Sequence, residues 1–263
     1  MTKQEIWIFG DSYADRFSNI DVTFSWPREL EKNYNVTNFG HSGDGPQGVL
    51  DNINKCILSM PNLDDKKVMA IVMLPEICRY TFSFYTKIKQ RVYGQVNSES
   101  SDQFKDMIKR KFGEDKLKFL MDFQEYYLKV DSNRKIEEMK TFSLLNHYAT
   151  YFKKMLVWPT DYVYVDDDPA CRPLFSSLVN YDFVPITMET ITHNREPNTI
   201  GRWPDDKNTI NHLSLFHHKI MYTELVEWIE SGKLPEDKFV YDPNGNTDGN
   251  VLRIRDPNKI YQD

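Results

Sequence analysis

Three short apolar runs near the start of the chain predict β-strands. They are EIWIFG at 5–10, VTNFG at 36–40 and KVMAIVML at 67–74. The third run is continuously apolar, which is typical of a strand that is covered on both faces of a parallel sheet. The first run ends abruptly in Gly10, Asp11 and Ser12, so a polar turn is expected where the first strand ends.

Helical signals lie between these runs. Ser25 precedes WPRELEKNY, and Pro27 lies in its first turn, as is usual where a helix begins. The segment PQGVLDNINKCILSM at 46–60 repeats apolar residues every four positions, at Val49, Ile53 and Ile57. The order strand, helix, strand, helix, strand indicates an α/β fold around a parallel sheet.

The pattern changes between about 82 and 157, where Lys, Glu, Phe and Tyr are frequent. SSDQFKDMIKRKF at 100–112 and EDKLKFLMDFQEYYLKV at 114–130 predict a helical insertion at about 82–135, either a substrate lid or a solvated helical hairpin. KIEEMKTFSLLNHYATYFKKML at 135–156 predicts a helix that covers the sheet, because DYVYV at 161–165 then predicts another strand.

The last clear element is a helix in SLFHHKIMYTELVEWIESGK at 214–233. Ser214 can cap it, Gly232 can end it, and it carries an apolar stripe of Phe216, Ile220, Met221, Leu225, Trp228 and Ile229. The tail at about 234–263 is rich in Asn, Asp, Gly and Pro and predicts an arm or hairpin. With 263 residues, one α/β domain over 1–263 is the economical interpretation.

Charge and cysteine content narrow the expected partners. The formal net charge is -6, so the chain lacks the basic field that attracts nucleic acid or anionic lipid surfaces, and we expect neither as a partner. Three widely spaced cysteines without a Cys-x-x-Cys pair indicate neither a disulfide framework nor a zinc site. The start of the chain lacks a signal peptide pattern, and we expect a cytoplasmic protein without metal or other cofactor.

Three stretches carry candidate chemistry. In IFGDS at 8–12, Gly10 permits a sharp turn that would expose the Ser12 hydroxyl at the carboxyl edge of the sheet, although Gly-Asp-Ser is also common in ordinary loops. NFGHSGDGPQG at 38–48 is a glycine-rich loop before a helix, and its N–H groups could bind an oxyanion or merely connect two elements. His212 precedes the last helix, where it could act as a base or simply be solvated.

Together, and in this order, these stretches resemble the SGNH (GDSL-type) hydrolase superfamily, including its divergent bacteriophage members. The matching residues are GDS at 10–12, NFGHSG at 38–43 and His212. The resemblance implies a three-layer, flavodoxin-like parallel sheet. It also implies that Ser12 is the nucleophile and His212 the general base, with the backbone N–H groups of Ser12 and Gly43 as oxyanion donors. Asp11 and Arg79 are further candidates for oxyanion or substrate binding.

Two positions depart from the family pattern. The family has an Asp three residues before the histidine, where this chain has Thr209. Asp206, Asp205 or a backbone carbonyl could orient His212 instead, and Asp206 is the favoured candidate. The family also has an oxyanion-hole Asn after the third strand, where this chain reads MLPEICRY; Arg79 could replace it.

The resemblance implies a serine esterase that cleaves a short acyl ester, such as an acetyl ester, on a small molecule or a carbohydrate. A transferase that uses the same acyl-enzyme is a variant of this interpretation. The alternative is a noncatalytic SGNH-fold protein with a binding or structural role, for example in a phage particle. The missing Asn and the displaced Asp favour the alternative, whereas the presence of Ser12, Gly43 and His212 together favours the enzyme.

Overall fold

The computed structural model describes ten stretches of the chain: residues 3–15, 25–41, 43–60, 67–77, 82–84, 90–92, 102–128, 130–160, 180–184 and 215–235. The strands are β1 (Glu5–Phe9), β2 (Asn35–Asn38), β3 (Met69–Leu74), β4 (Phe82–Phe84), β5 (Gln90–Val92), β6 (Lys154–Pro159) and β7 (Asp182–Phe183). The helices are α1 (Trp26–Asn33), α2 (Pro46–Ser59), α3 (Asp102–Phe112), α4 (Glu114–Phe123), α5 (Asp131–Ala149) and α6 (Leu215–Ser231), with a π-helical turn at Gln124–Leu128.

Five of these strands form one sheet in the order β2-β1-β3-β6-β7, and every neighbouring pair is parallel. This order is that of flavodoxin-like folds, in which the first strand lies inside the sheet and the second at its edge. The expected flavodoxin-like α/β architecture is therefore confirmed.

The side chains of β3 divide the core into two layers. Ala70, Val72 and Leu74 pack into a cluster with residues of α2 and α5. Met69, Ile71 and Met73 pack into a second cluster with residues of α1 and α6. All six residues of β3 are buried, as its continuous apolar run predicts, since helices cover both faces of the sheet. Each large apolar side chain buried in this way stabilises the fold by roughly 1.5–3 kcal/mol.

The prediction for the region 135–156 is correct for its first part and wrong for its last. Helix α5 covers the sheet as expected, since Phe142, Leu145 and Ala149 lie in the core, but it ends at Ala149. The N–H groups of Thr150, Tyr151 and Phe152 then bond to carbonyls three residues back, which tightens the chain out of the helix. Residues 154–159 form strand β6 between β3 and β7, because MLVW can fill a strand as well as a helical stripe. The strand predicted at 161–165 lies outside the described residues.

The insertion contains a two-stranded antiparallel ribbon, β4 with β5, that its sequence did not predict. Helices α3 and α4 follow it and share a small separate core around Ile108 and Leu120. The interpretation of 82–135 as a lid remains a prediction.

Helix α6 ends as its sequence predicts. Gly232 follows it with φ +81°, and the Gly232 N–H bonds to the carbonyl of Trp228. Met221, Leu225 and Trp228 are fully buried. Within the described stretches, no helix is long and apolar enough to cross a membrane. Residues 236–263, nearly all of the predicted arm, lie outside those stretches.

Candidate active site at the carboxyl edge of the sheet

The strand order places a topological switch point between the carboxyl ends of β1 and β3. The chain passes from β1 outward to β2 and then returns across β1 to β3, so the direction of winding reverses between β1 and β3. Ligands of open α/β sheets bind at such a switch point, outside the carboxyl ends of the strands. Ser12 follows β1 by three residues, and the partly exposed Glu76 follows β3 by two.

Ser12 lies in a tight turn that presents it to solvent. The Asp11 carbonyl accepts N–H bonds from Ala14 at 3.0 Å and from Asp15 at 2.9 Å, and the Asp11 carboxylate accepts one from the Tyr13 N–H at 3.1 Å. Within residues 10–14, Ser12 alone is partly exposed, while its four neighbours are buried. The turn therefore leaves Ser12 partly exposed between buried neighbours at the carboxyl end of β1.

Asp11 supports this turn from inside the protein. It is fully buried, and its carboxylate contact with the Tyr13 N–H is an Asx-type turn bond. Its predicted part in oxyanion or substrate binding stays a prediction.

Gly10 is required by the close approach of β1 to β3 below the turn. Its φ is +149°, and a Cβ at this position would lie 2.7 Å from both the Cβ and the carbonyl oxygen of Met73 and 2.9 Å from the Cβ of Ala14. Nonbonded carbon atoms normally approach to about 3.5–4.0 Å, so no side chain fits here.

The loop after β2 packs directly on the Ser12 turn. The Asn38 amide donates to the Ala14 carbonyl at 2.8 Å and accepts from the Gly40 N–H at 2.7 Å. The His41 N–H donates to the Gly10 carbonyl at 2.9 Å. The two motifs recognised in the sequence therefore meet at one edge of the sheet, and Asn38 is the side chain that joins them.

Gly43 lies further along this loop with φ +86°, a left-handed conformation that favours glycine. Its neighbour Asp44 is buried, and a Cβ on Gly48, in the first turn of α2, would lie 2.5 Å from the Asp44 Oδ1. The positive end of α2 therefore already faces a carboxylate of this chain. The predicted oxyanion role of the Gly43 N–H stays a prediction.

Helix α6 begins at the same edge of the sheet as Ser12. The Trp228 indole near its end donates to the Asp182 carboxylate at 2.7 Å, and the Lys154 ammonium lies over the Trp228 ring. Asp182 and Lys154 are the first residues of β7 and β6, so the end of α6 lies at the amino edge. Its start, about 25 Å away along 17 residues, lies at the carboxyl edge.

The remaining predicted site residues, His212, Asp206 and Arg79, lie outside the described residues, as do Asp205 and Thr209. His212 precedes α6 by three residues. His218 is buried. In the described part of the chain, no three His, Cys, Asp or Glu residues are grouped so that they could hold a metal ion.

The sequence motifs did not predict one contact of the Ser12 turn. The indole N–H of Trp26 donates to the Tyr13 carbonyl at 3.1 Å, and Trp26 is fully buried. The only sequence signal is a tryptophan at the first position of a predicted helix, which by itself indicates packing.

No protein-family model and no curated protein matches the sequence. The fold is similar to three solved structures of low sequence identity. A member of the lipolytic G-D-S-L family from Veillonella parvula is 15% identical, with 85% of this chain and 96% of that chain covered and a TM-score of 0.41. TesA is 14% identical, with 86% and 98% covered and a TM-score of 0.38. LAE5, an alpha/beta hydrolase from the metagenome of Lake Arreo in Spain, is 14% identical, with 84% and 92% covered and a TM-score of 0.40.

The strand order β2-β1-β3-β6-β7 is the flavodoxin-like order that the sequence motifs predict. The chain has a three-layer, flavodoxin-like fold with its Gly-Asp-Ser turn at the switch point of the sheet.

Proposed function

We propose that this chain is a serine hydrolase that cleaves short acyl esters through an acyl-enzyme formed on Ser12. The observation that carries the proposal is the placement of Ser12. It is the one partly exposed residue within 10–14, and its turn lies at the switch point where parallel α/β sheets bind their ligands. A merely polar strand end has no need for a glycine that excludes every side chain or for a second loop packed against it.

The proposed reaction needs a base next to the hydroxyl, because serine is a poor nucleophile at neutral pH. His212 takes the proton from the Ser12 Oγ as that oxygen attacks the ester carbonyl carbon. The tetrahedral oxyanion is stabilised by the N–H groups of Ser12 and Gly43, and its collapse expels the alcohol, which receives the proton from His212. Water, deprotonated by His212, then attacks the acyl-enzyme, and the carboxylic acid leaves as His212 returns the proton to the Ser12 Oγ.

The segment after β3 lacks one expected donor. Pro75 and Glu76 follow Leu74; proline has no N–H, and an ionised carboxylate only accepts hydrogen bonds. Removal of one oxyanion donor typically slows turnover by about 100- to 1,000-fold. We therefore propose a slow or specialised enzyme in which Arg79 supplies the missing hydrogen-bond donor.

A fluorophosphonate probe tests the nucleophile without requiring fast turnover, because one covalent event is enough. We expect stoichiometric labelling at Ser12, read by intact mass and peptide mapping, and no labelling of Ser12→Ala. Circular dichroism and thermal unfolding show whether each variant is folded. A folded wild-type protein that takes up no probe would refute the hydrolase and leave the noncatalytic interpretation.

Two histidine variants test the base. His41 is exposed and its backbone bonds to Gly10 beside the Ser12 turn, so His41→Ala is a matched control for His212→Ala. We expect His212→Ala to abolish labelling and His41→Ala to keep it. The reverse result would assign the base to His41. Asp206→Asn then tests the orienting acid, and an unchanged rate would point to Asp205 or a carbonyl.

The substrate screen begins with acetyl esters of small alcohols and of sugars. Release of free acid indicates a hydrolase, whereas transfer of the acyl group to an added alcohol indicates a transferase.

A further inference from the structure

Trp26 touches the Ser12 turn on one side and helix α6 on the other. Its indole N–H donates to the Tyr13 carbonyl at 3.1 Å. Its backbone N–H points to the Nδ1 of His218 at 3.5 Å. Both Trp26 and His218 are buried. The first residue of α1 is thus the link between the turn that carries Ser12 and the first turns of α6.

Among the described residues, side chains from two elements donate hydrogen bonds to the Ser12 turn. Asn38, at the end of β2, donates to the Ala14 carbonyl at 2.8 Å, and Trp26 donates to the neighbouring Tyr13 carbonyl. The first bond ties the turn to the adjacent strand. The second ties it to the helical layer formed by α1 and α6, whose core residues share one cluster with Tyr13 and Ala14.

We propose that Trp26 is a positioning residue that sets the Ser12 turn at the correct distance from the start of α6, and thereby from the proposed base. This inference rests on the proposed function, since His212 lies six residues before His218 in the sequence. A nucleophile and its base must lie within hydrogen-bond reach, about 2.6–3.2 Å. A misplacement of about 1 Å can slow a reaction by about 100-fold, so a single bond that fixes the turn has a large effect on rate.

Trp228 provides a matched control for Trp26. Both indoles are fully buried, and each donates one described hydrogen bond, Trp228 to the Asp182 carboxylate at 2.7 Å. Trp228 lies in the same core cluster, but its bond is at the amino edge of the sheet. Trp26→Phe and Trp228→Phe therefore remove the same N–H and a similar volume at opposite ends of the fold.

The test measures two quantities in both variants: the rate constant of fluorophosphonate labelling at Ser12, and hydrogen–deuterium exchange of the amides in residues 10–15. We expect Trp26→Phe to slow labelling by about tenfold or more and to speed exchange in residues 10–15. Trp228→Phe should leave both close to wild type, even if its melting temperature falls. A merely structural role of Trp26 would lower stability without separating the two variants in these readouts.

The outcomes distinguish this inference from the proposed function. A wild-type protein that is not labelled refutes both. A labelled wild type with equal labelling and exchange in the two variants refutes the positioning role alone. If Trp26→Phe does not fold, 3-benzothienylalanine at position 26 keeps the ring shape and removes only the N–H, and wild-type labelling in that protein would overturn the proposal.

Discussion

Two separate costs would oppose a side chain at Gly10, directly before the Ser12 turn. The first is the strain of a positive φ (the backbone part), and the second is the close contact of a Cβ with its neighbours (the contact part). Gly113 has φ +93°, and no described atom lies within 4 Å of the point that its Cβ would occupy, so Gly113→Ala carries the backbone part alone. Gly40 lacks such a φ, but its Cβ would lie 2.8 Å from the backbone carbon of Ala14, so Gly40→Ala carries the contact part alone. Gly10 combines both, with φ +149° and contacts of 2.7 Å to Met73.

The expected losses follow from these contacts. An unfavourable backbone conformation costs about 1–3 kcal/mol, and an overpacked contact costs about 1–3 kcal/mol. Gly10→Ala should therefore lower the free energy of unfolding by about 2–6 kcal/mol, more than either single-cause variant. This is a large part of the roughly 5–15 kcal/mol that stabilises a typical domain.

Urea unfolding at 25 °C, followed by tryptophan fluorescence and by circular dichroism, measures all three variants on one scale. Gly10→Ala should also lose fluorophosphonate labelling at Ser12 in conditions where it is still folded, because Gly10 directly precedes the turn. A Gly10→Ala protein that loses no more stability than Gly113→Ala would refute the argument that β3 contacts exclude a side chain at position 10.

Three further changes test local features of the fold. Ser25 occupies the cap position of α1 without a side-chain cap bond, and its buried Oγ has no hydrogen-bond partner among the described residues. Ser25→Ala should therefore keep the ~1 kcal/mol of stability that is usually lost with a cap residue. A loss of that size in urea unfolding would show that the Ser25 hydroxyl does cap the helix. Thr160 is 4% exposed, and its Oγ1 also lacks a hydrogen-bond partner within the described stretches. Thr160→Val should therefore raise the free energy of unfolding by about 1–2 kcal/mol. A lowered urea midpoint would show that the Thr160 hydroxyl is hydrogen-bonded. Burial raises the pKa of Cys56 to about 11, so its thiol stays protonated at pH 8. Peptide mapping should find that iodoacetamide leaves Cys56 unmodified in the native protein and modifies it in urea. Modification of the native protein at pH 8 would refute the burial of Cys56.

Local pattern was sufficient for elements whose residues agree with one structure only. The run at 67–74 predicted the strand Met69–Leu74, because a short, continuously apolar run fits a strand that is covered on both faces. Local pattern failed at 154–159, where the residues MLVW also continue the apolar stripe of α5. Pairing with β3 and β7 decides that case, and the partners lie far away in the chain.

The candidate site divides in the same way. Sequence alone identified the Gly-Asp-Ser turn, the glycine-rich loop and the α/β order of the elements, because turn residues and hydrophobic periods act over a few neighbouring positions. Tertiary structure alone decided that Ser12 is partly exposed between buried neighbours, that Asn38 joins the two loops, and that Trp26 bonds to Tyr13. These features depend on which distant backbone atoms approach each other, and such approaches are set by the packing of helices on the two faces of the sheet rather than by any spacing along the chain.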